Sequence, residues 1–307
     1  MTRTAFVFPG QGSQAPGMLK DLAQSYPEVE QTFNEASEAL GYDLWDLVQN
    51  DTDNKLNETQ VTQPALLTAS VAIFRLLKQQ GITADFMAGH SLGEYSALVC
   101  AGALEFSEAV KLVEARGQFM QQAVPADAGA MFAIIGLDDA TIQDICQQTA
   151  IATGEVVAPV NYNSPGQVVI AGEKSATTQA GQACKDAGAK RALPLPVSVP
   201  SHCELMRPAA DKLEEALASL TLKAPEVSVV NNVDVRVEQD VAKIRDALVR
   251  QLYCPVQWTA SVEYLASQDV ERIIEVGPGK VLSGLIKRID KSIQAVAVNT
   301  PASLEAL

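Results

Sequence analysis

The stretch ADFMAGHSLGEYSALVCAG, residues 84–102, decides the fold of this chain. ADFMA is a short apolar run that reads as a buried strand reaching Gly89. Leu92 to Ala103 and Ser107 to Val124 read as two successive helices separated by Gly102 and a short turn. Strand, tight turn and helix in that order predict a parallel α/β sheet. The junction GHSLG, Gly89 to Gly93, fits G-x-S-x-G in the setting that motif needs. A sharp strand-to-helix turn lifts the Ser91 hydroxyl out of the sheet, the glycines tolerate the crowding, and the N–H of Leu92 points at an oxyanion. G-x-S-x-G also arises by chance in glycine-rich turns, but its place between strand and helix favours a nucleophile.

Upstream, TAFVF is a buried strand ended by Pro9 and Gly10, and helices are expected over Pro27 to Leu40 and Pro64 to Lys78. Downstream the order is GAMFAIIGL, a helix near Asp138 to Thr149, VVAPVNYN, QVVIAG, a helix near Lys174 to Ala187, and AKRALPLPV. That is βαββαβ, a ferredoxin-like split unit of roughly 70 residues whose central strands are joined by the turn signal SPG. Strands near Val227 to Asn231, Arg272 to Val276 and Gln294 to Val298 then complete the first sheet. The expected fold is therefore α/β, a parallel sheet flanked by helices (1–126 and 199–307) with a ferredoxin-like subdomain inserted at 127–198.

A serine nucleophile needs a base, and the chain has only two histidines. His90 adjoins Ser91, and successive side chains at a strand end point to opposite faces, so His90 is poorly placed to take its neighbour's proton. His202, in PVSVPSHCEL between a strand-like run and a helix, is the remaining candidate. Asp138, Asp144 and Asp186 lie between Ser91 and His202 in chain order, but each reads as a solvated carboxylate on a helix of the insert. The loop GQGSQ, Gly10 to Gln14, could bring a second N–H to an oxyanion or be a plain glycine turn. Its third glycine comes too late for a dinucleotide fingerprint. GPGK, Gly277 to Lys280, lacks the phosphate-loop spacing and reads as a strand-to-helix turn. Arg116 sits on a helix face otherwise made of Ala109, Leu112, Phe119 and Ala123. A guanidinium there needs an anion, either a structural carboxylate or that of a substrate.

Composition narrows the classes. At 307 residues the chain has about twice the length of a ~150-residue domain. Hydrophobic residues at 47% and charged ones at 20% exclude a disordered chain. Lys plus Arg total 23 against 37 acids, a net charge of −14, which opposes nucleic acid and anionic lipid. The N-terminus has no signal-peptide core, and no window approaches the ~20 apolar residues that cross a bilayer, so a soluble cytoplasmic protein is expected. Cys100, Cys146, Cys184, Cys203 and Cys254 form no CxxC pair, which argues against disulfides or a zinc site.

Taken together, GQGSQ, GHSLGEYSALVCAG, the arginine of EARGQFM, NYNSPGQVVIAG, PVSVPSH and EVGPGKVL resemble, in order and over nearly the whole chain, the bacterial malonyl-CoA:acyl-carrier-protein transacylases. The resemblance implies a hydrolase-like core interrupted by the ferredoxin-like insert. It implies Ser91 as carrier of a malonyl ester, His202 as base and acid, and Gln11 and Leu92 as oxyanion-hole N–H donors, with Gln11 also against substrate. It implies that the main-chain carbonyl of Gln251 orients His202 in place of a carboxylate, and that Arg116 binds the malonyl carboxylate. Transfer from malonyl-CoA to acyl-carrier protein in fatty-acid biosynthesis would be ping-pong, with no metal or other cofactor, by a monomer. Carrier proteins of this pathway are acidic, so docking would need a basic patch. The basic groupings are Lys190 and Arg191 on the insert, and Lys280, Lys287, Arg288 and Lys291 after the GPG turn. Of these, Lys280, Lys287 and Lys291 are expected near one helical face. The competing readings are an esterase or thioesterase using Ser91 and His202, a module that holds acyl-CoA at the same cleft without turnover, against which the intact Ser91, His202 and Arg116 argue, and a transacylase for another acyl group such as methylmalonyl. Ser201 and Met120 are candidates for lining the acyl pocket.

Overall fold

The computed structural model describes residues 2–197 and 199–307. Strands β1 (Arg3–Phe8), β2 (Phe86–Gly89), β7 (Ser228–Val230), β8 (Val270–Val276) and β9 (Gln294–Val298) form one parallel sheet in the order β7-β2-β1-β8-β9. In β1, Ala5 to Phe8 are all fully buried. Phe6 and Phe8 enter the larger core with the helices Thr59–Gln79 and Phe106–Gln122. Ala5 and Val7 point the other way, into a smaller core around Trp258, Ile273 and Ile286. This alternation on a sheet covered on both faces is why TAFVF reads as a continuous apolar run. Phe8 pairs with Gly89, so β1 and β2 end level and release the 10–14 loop and the 89–93 turn side by side. The carboxyl edge of a parallel sheet is where such folds place their sites.

Strands β3 (Gly129–Ile135), β4 (Val157–Ser164), β5 (Gln167–Glu173) and β6 (Arg191–Pro194) form a separate antiparallel sheet in the order β4-β5-β3-β6. The helices Asp139–Thr153 and Lys174–Asp186 pack on one face of it. The turn between β4 and β5 is Pro165-Gly166 with Gly166 at φ 72, a type II pattern that seats Pro at its fixed φ and glycine where φ is positive. The opposite face carries Met131, Val160, Val169 and Ala171 and packs on Cys203, next to His202. Main-chain bonds between Val160, Tyr162 and Val256 tie this sheet to the rest of the molecule.

Two elements differ from expectation. The helix expected from Pro64 begins at Thr59, with Pro64 inside it. Proline there forgoes one main-chain bond in the second turn of a 21-residue helix that is buried along most of its length, so it does not mark the start. The final basic helix is Val281–Ile289; Asp290 ends it in extended backbone and accepts from the N–H of Ser292. Lys291 therefore lies beyond the helix and Lys280 at its N-cap, so the expected face of three lysines is not formed.

Candidate active site

Ser91 sits between β2 and the helix Leu92–Cys100 at φ 51, ψ −108, a strained main chain for a non-glycine residue. Its neighbours permit the turn. A Cβ on Gly89 would run into the main chain of Gly93, and one on Gly93 into the carbonyl of Phe8. A Cβ on Gly10 would strike the carbonyl of His90, which shows how closely the 10–14 loop lies against this elbow. Asn232, just past β7, fastens the turn. Its Oδ1 accepts from the Ser91 N–H at 2.8 Å and its Nδ2 donates to the Gly89 carbonyl at 2.6 Å.

The hydroxyl of Ser91 lies 2.8 Å from His202 Nε2. His202 Nδ1 lies 2.6 Å from the main-chain carbonyl of Gln251, the last residue of the helix Val241–Gln251. A carbonyl can only accept, so Nδ1 carries the proton and Nε2 is left to accept from Ser91. His202 itself is at φ 66, and its N–H donates to the carbonyl of Leu252. Burial foremost, then the Arg116 cation, holds its pKa down at about 3, only partly opposed by the Gln251 carbonyl. The ring is thus a neutral base at physiological pH. No carboxylate orients it. Asp138 caps the helix Asp139–Thr153 at the surface, and Asp186 accepts from Gln182 on an exposed face.

Arg116 is 1% exposed, and its Nη2 donates to Ser91 Oγ at 3.2 Å and to Gln251 Oε1 at 2.9 Å. Its Nη1 donates to Gln63 Oε1 at 2.7 Å, and its guanidinium lies 5.2 Å from the Tyr95 ring centroid. All its hydrogen-bond partners are neutral; among the described residues it forms no ion pair. Its direct contacts are amides, a hydroxyl and a ring, and the Glu94 carboxyl acts on it only across the Gln251 amide, so the cation has no anion in contact with it. It opens onto a cleft lined also by Gln11, Leu92, Met120 and Ser201. The N–H groups of Gln11 and Leu92 donate to no acceptor among the described residues. His90 is held aside: its Nε2 meets Asn163 Oδ1 at 2.8 Å and its ring packs on Trp258. No group of three or more His, Cys, Asp or Glu among the described residues is arranged to hold a metal ion. None of the described helices is long and apolar enough to cross a membrane.

A serine activated by a neutral histidine, beside two free N–H groups and an unpaired buried cation, is equipped for acyl transfer from an acid-bearing substrate. The same conclusion comes from comparison. Residues 5–303 match the acyl transferase domain model. The chain belongs to the acyl transferase family. Among its relatives, it is 66% identical over 307 residues to the malonyl CoA-acyl carrier protein transacylase of Escherichia coli K12, covering 100% of this chain and 99% of that one. Its fold is similar to the crystal structure of an acyl carrier protein S-malonyltransferase from Vibrio cholerae, with a TM-score of 0.97 at 63% identity over 99% of each chain. It is equally similar to a malonyl-transacylase solved in complex with a type II PKS acyl-carrier protein, with a TM-score of 0.98 at 59% identity over 99% of this chain and 98% of that one.

Within this acyl transferase, Ser91, His202, Arg116, Gln11 and Leu92 line one cleft, and the buried Gln251 backs it through its bonds to His202 and Arg116. The basic candidates lie elsewhere. Lys190, Arg191, Lys280, Lys287, Arg288 and Lys291 are all exposed. Arg288 donates to Gln167 Oε1 at the β4–β5 turn, and the stem of Lys190 lies on Gly136, whose N–H donates to Gly166 of that turn. Arg288 and Lys190 therefore flank the same turn. Sequence reasoning missed Gln63, Glu94, Asn232 and the side chain of Gln251. Only Glu94 carried a local sign, the S-x-x-E spacing that starts at Ser91 itself.

Proposed function

We propose that this chain moves the malonyl group of malonyl-CoA to the phosphopantetheine thiol of acyl-carrier protein, in fatty-acid synthesis, through an ester on Ser91. His202 Nε2 takes the Ser91 proton as Oγ attacks the thioester carbonyl. The oxyanion lies against the N–H groups of Gln11 and Leu92. Collapse breaks the C–S bond, and the imidazolium returns its proton to the departing CoA sulfur. In the second half the carrier's thiol gives its proton to His202 and attacks the ester, and Ser91 leaves with that proton. Arg116 holds the malonyl carboxylate beside Ser91 and so favours a substrate that brings its own anion.

The observation that carries this reading is the buried Arg116, unpaired and 3.2 Å from the Ser91 hydroxyl. Support for a thiol rather than water as the acceptor comes from the malonyl transacylases among the relatives and solved structures, so hydrolysis is not favoured. The reading has the chain acting as a monomer in the cytoplasm without a resident cofactor. It has the carrier docking on the basic surface of Lys190, Arg191, Lys280, Lys287 and Arg288. Arg116→Ala tests the anion's role. Malonyl transfer should fall by roughly thirtyfold or more, in line with about 2–5 kcal/mol for removing one partner of a buried charge pair. Acetyl transfer should fall far less, and equal losses in parallel assays would contradict it.

A further inference from the structure

Ser91-Leu92-Gly93-Glu94 has the spacing of a capping box, in which serine caps the helix and glutamate returns to the serine N–H. Neither bond is made. Ser91 Oγ faces His202, and the Ser91 N–H is taken by Asn232. Glu94 is 3% exposed, and its Oε2 accepts from the Gln251 side-chain amide at 2.8 Å and from the Asn232 N–H at 3.0 Å. It feels the Arg116 cation across the Gln251 amide but forms no contact ion pair among the described residues. A buried carboxylate spent on an amide is an expensive choice unless the amide's orientation matters.

That amide stands between the two working groups of the site. Its Nε2 also faces the Ser91 carbonyl at 3.1 Å and Asn232 Oδ1 at 3.3 Å, while its Oε1 accepts from Arg116. The same residue's main-chain carbonyl accepts from His202. Turning the amide over would set N–H against the guanidinium and oxygen against the carboxylate, losing bonds at both ends. We propose that Glu94 is a positioning residue of the transfer reaction: as acceptor for the Gln251 amide, it holds one residue so that it serves His202 through its main chain and Arg116 through its side chain. The inference rests on the transacylase reading above, and Glu94 touches no reacting atom.

Two variants separate acceptor from charge. Glu94→Gln keeps an oxygen where Oε2 stands and drops the charge; Glu94→Asp keeps the charge and withdraws the oxygen by one methylene. Steady-state kinetics with malonyl-CoA and acetyl-CoA would be run on protein shown to be folded by circular dichroism. Glu94→Gln should keep at least a third of the wild-type kcat and the malonyl preference. Glu94→Asp should lose about tenfold in kcat, raise KM for malonyl-CoA and lose malonyl preference, as Arg116 slackens. The reverse order would make Glu94 a counter-charge and overturn the proposal. An unchanged malonyl-to-acetyl ratio in folded Glu94→Asp would make its role merely structural and also overturn it. If Glu94→Asp does not fold, Glu94→Gln decides alone, its loss of malonyl preference being the contradicting result. Arg116→Ala is run alongside: if it keeps the wild-type preference, the part of the transacylase reading that seats the malonyl carboxylate on Arg116 fails, whatever Glu94 does.

Discussion

At His202 the site's chemistry is set by what surrounds a single ring. Burial and the Arg116 cation hold its pKa at about 3 against an ordinary 6.5. Between those values the unfolded chain binds a proton that the folded one does not, so His202 contributes a loss of stability as the pH falls from 6.5 toward 3. His202→Gln should accordingly lose less stability than the wild type between pH 7 and pH 5, measured by urea denaturation. The catalytic consequence is that the free enzyme's base stays neutral through that range. Acylation of Ser91 followed by rapid quench should show no falling limb centred near pH 6.5 that His202 could own; such a limb assigned to His202 by NMR would contradict the account. Glu94 has the opposite sign. Burial lifts its pKa to about 7, so its ionisation costs stability as the pH rises through 4.5 to 7.

At the scale of the element, the elbow works because β1, β2 and the helix Leu92–Cys100 meet without side chains between them. A methyl group on Gly93 would meet the carbonyl of Phe8, which cannot swing aside as a side chain can. Gly93→Ala should therefore cost about 3 kcal/mol or more. Gly284, in the last basic helix, has open space at its Cβ position, and Gly284→Ala should be neutral or stabilising by up to about 1 kcal/mol. Denaturant titration of the two variants gives the contrast, and equal effects would contradict the packing argument. The elbow was legible because strand, glycine and serine are adjacent in the chain. The helix start at Thr59 was not, because Pro64 is a common first-turn residue and only the burial of the preceding turn overrules that signal.

For the whole molecule, the site is assembled from distant parts of the chain, and that decides what a sequence can reveal. Ser91, His202 and Arg116 are legible by residue type, since few other groups do their work. The Gln251 carbonyl has no residue signature, because every residue carries one, and it was reached only through the family resemblance. Asn232 meets Ser91 from 141 residues away, in a pair of asparagines with no motif around them. Long-range charge belongs to the same scale. With a net charge of −14, an acidic carrier would be repelled except at a local basic surface. Reversing Lys287 and Arg288 to Glu should raise the carrier's KM by about tenfold at low salt, with the difference shrinking as salt screens it. An unchanged KM would place docking elsewhere.

On the proposed mechanism Ser91 carries the malonyl group between two thiols. Brief incubation with malonyl-CoA, intact-mass measurement and peptide mapping, followed by addition of holo acyl-carrier protein, tests donor, site and acceptor together. A single malonyl adduct on the Ser91 peptide, clearing as malonyl-carrier appears, is the expected result. An adduct on another residue, or one that clears to free malonate with the carrier left unloaded, would contradict it.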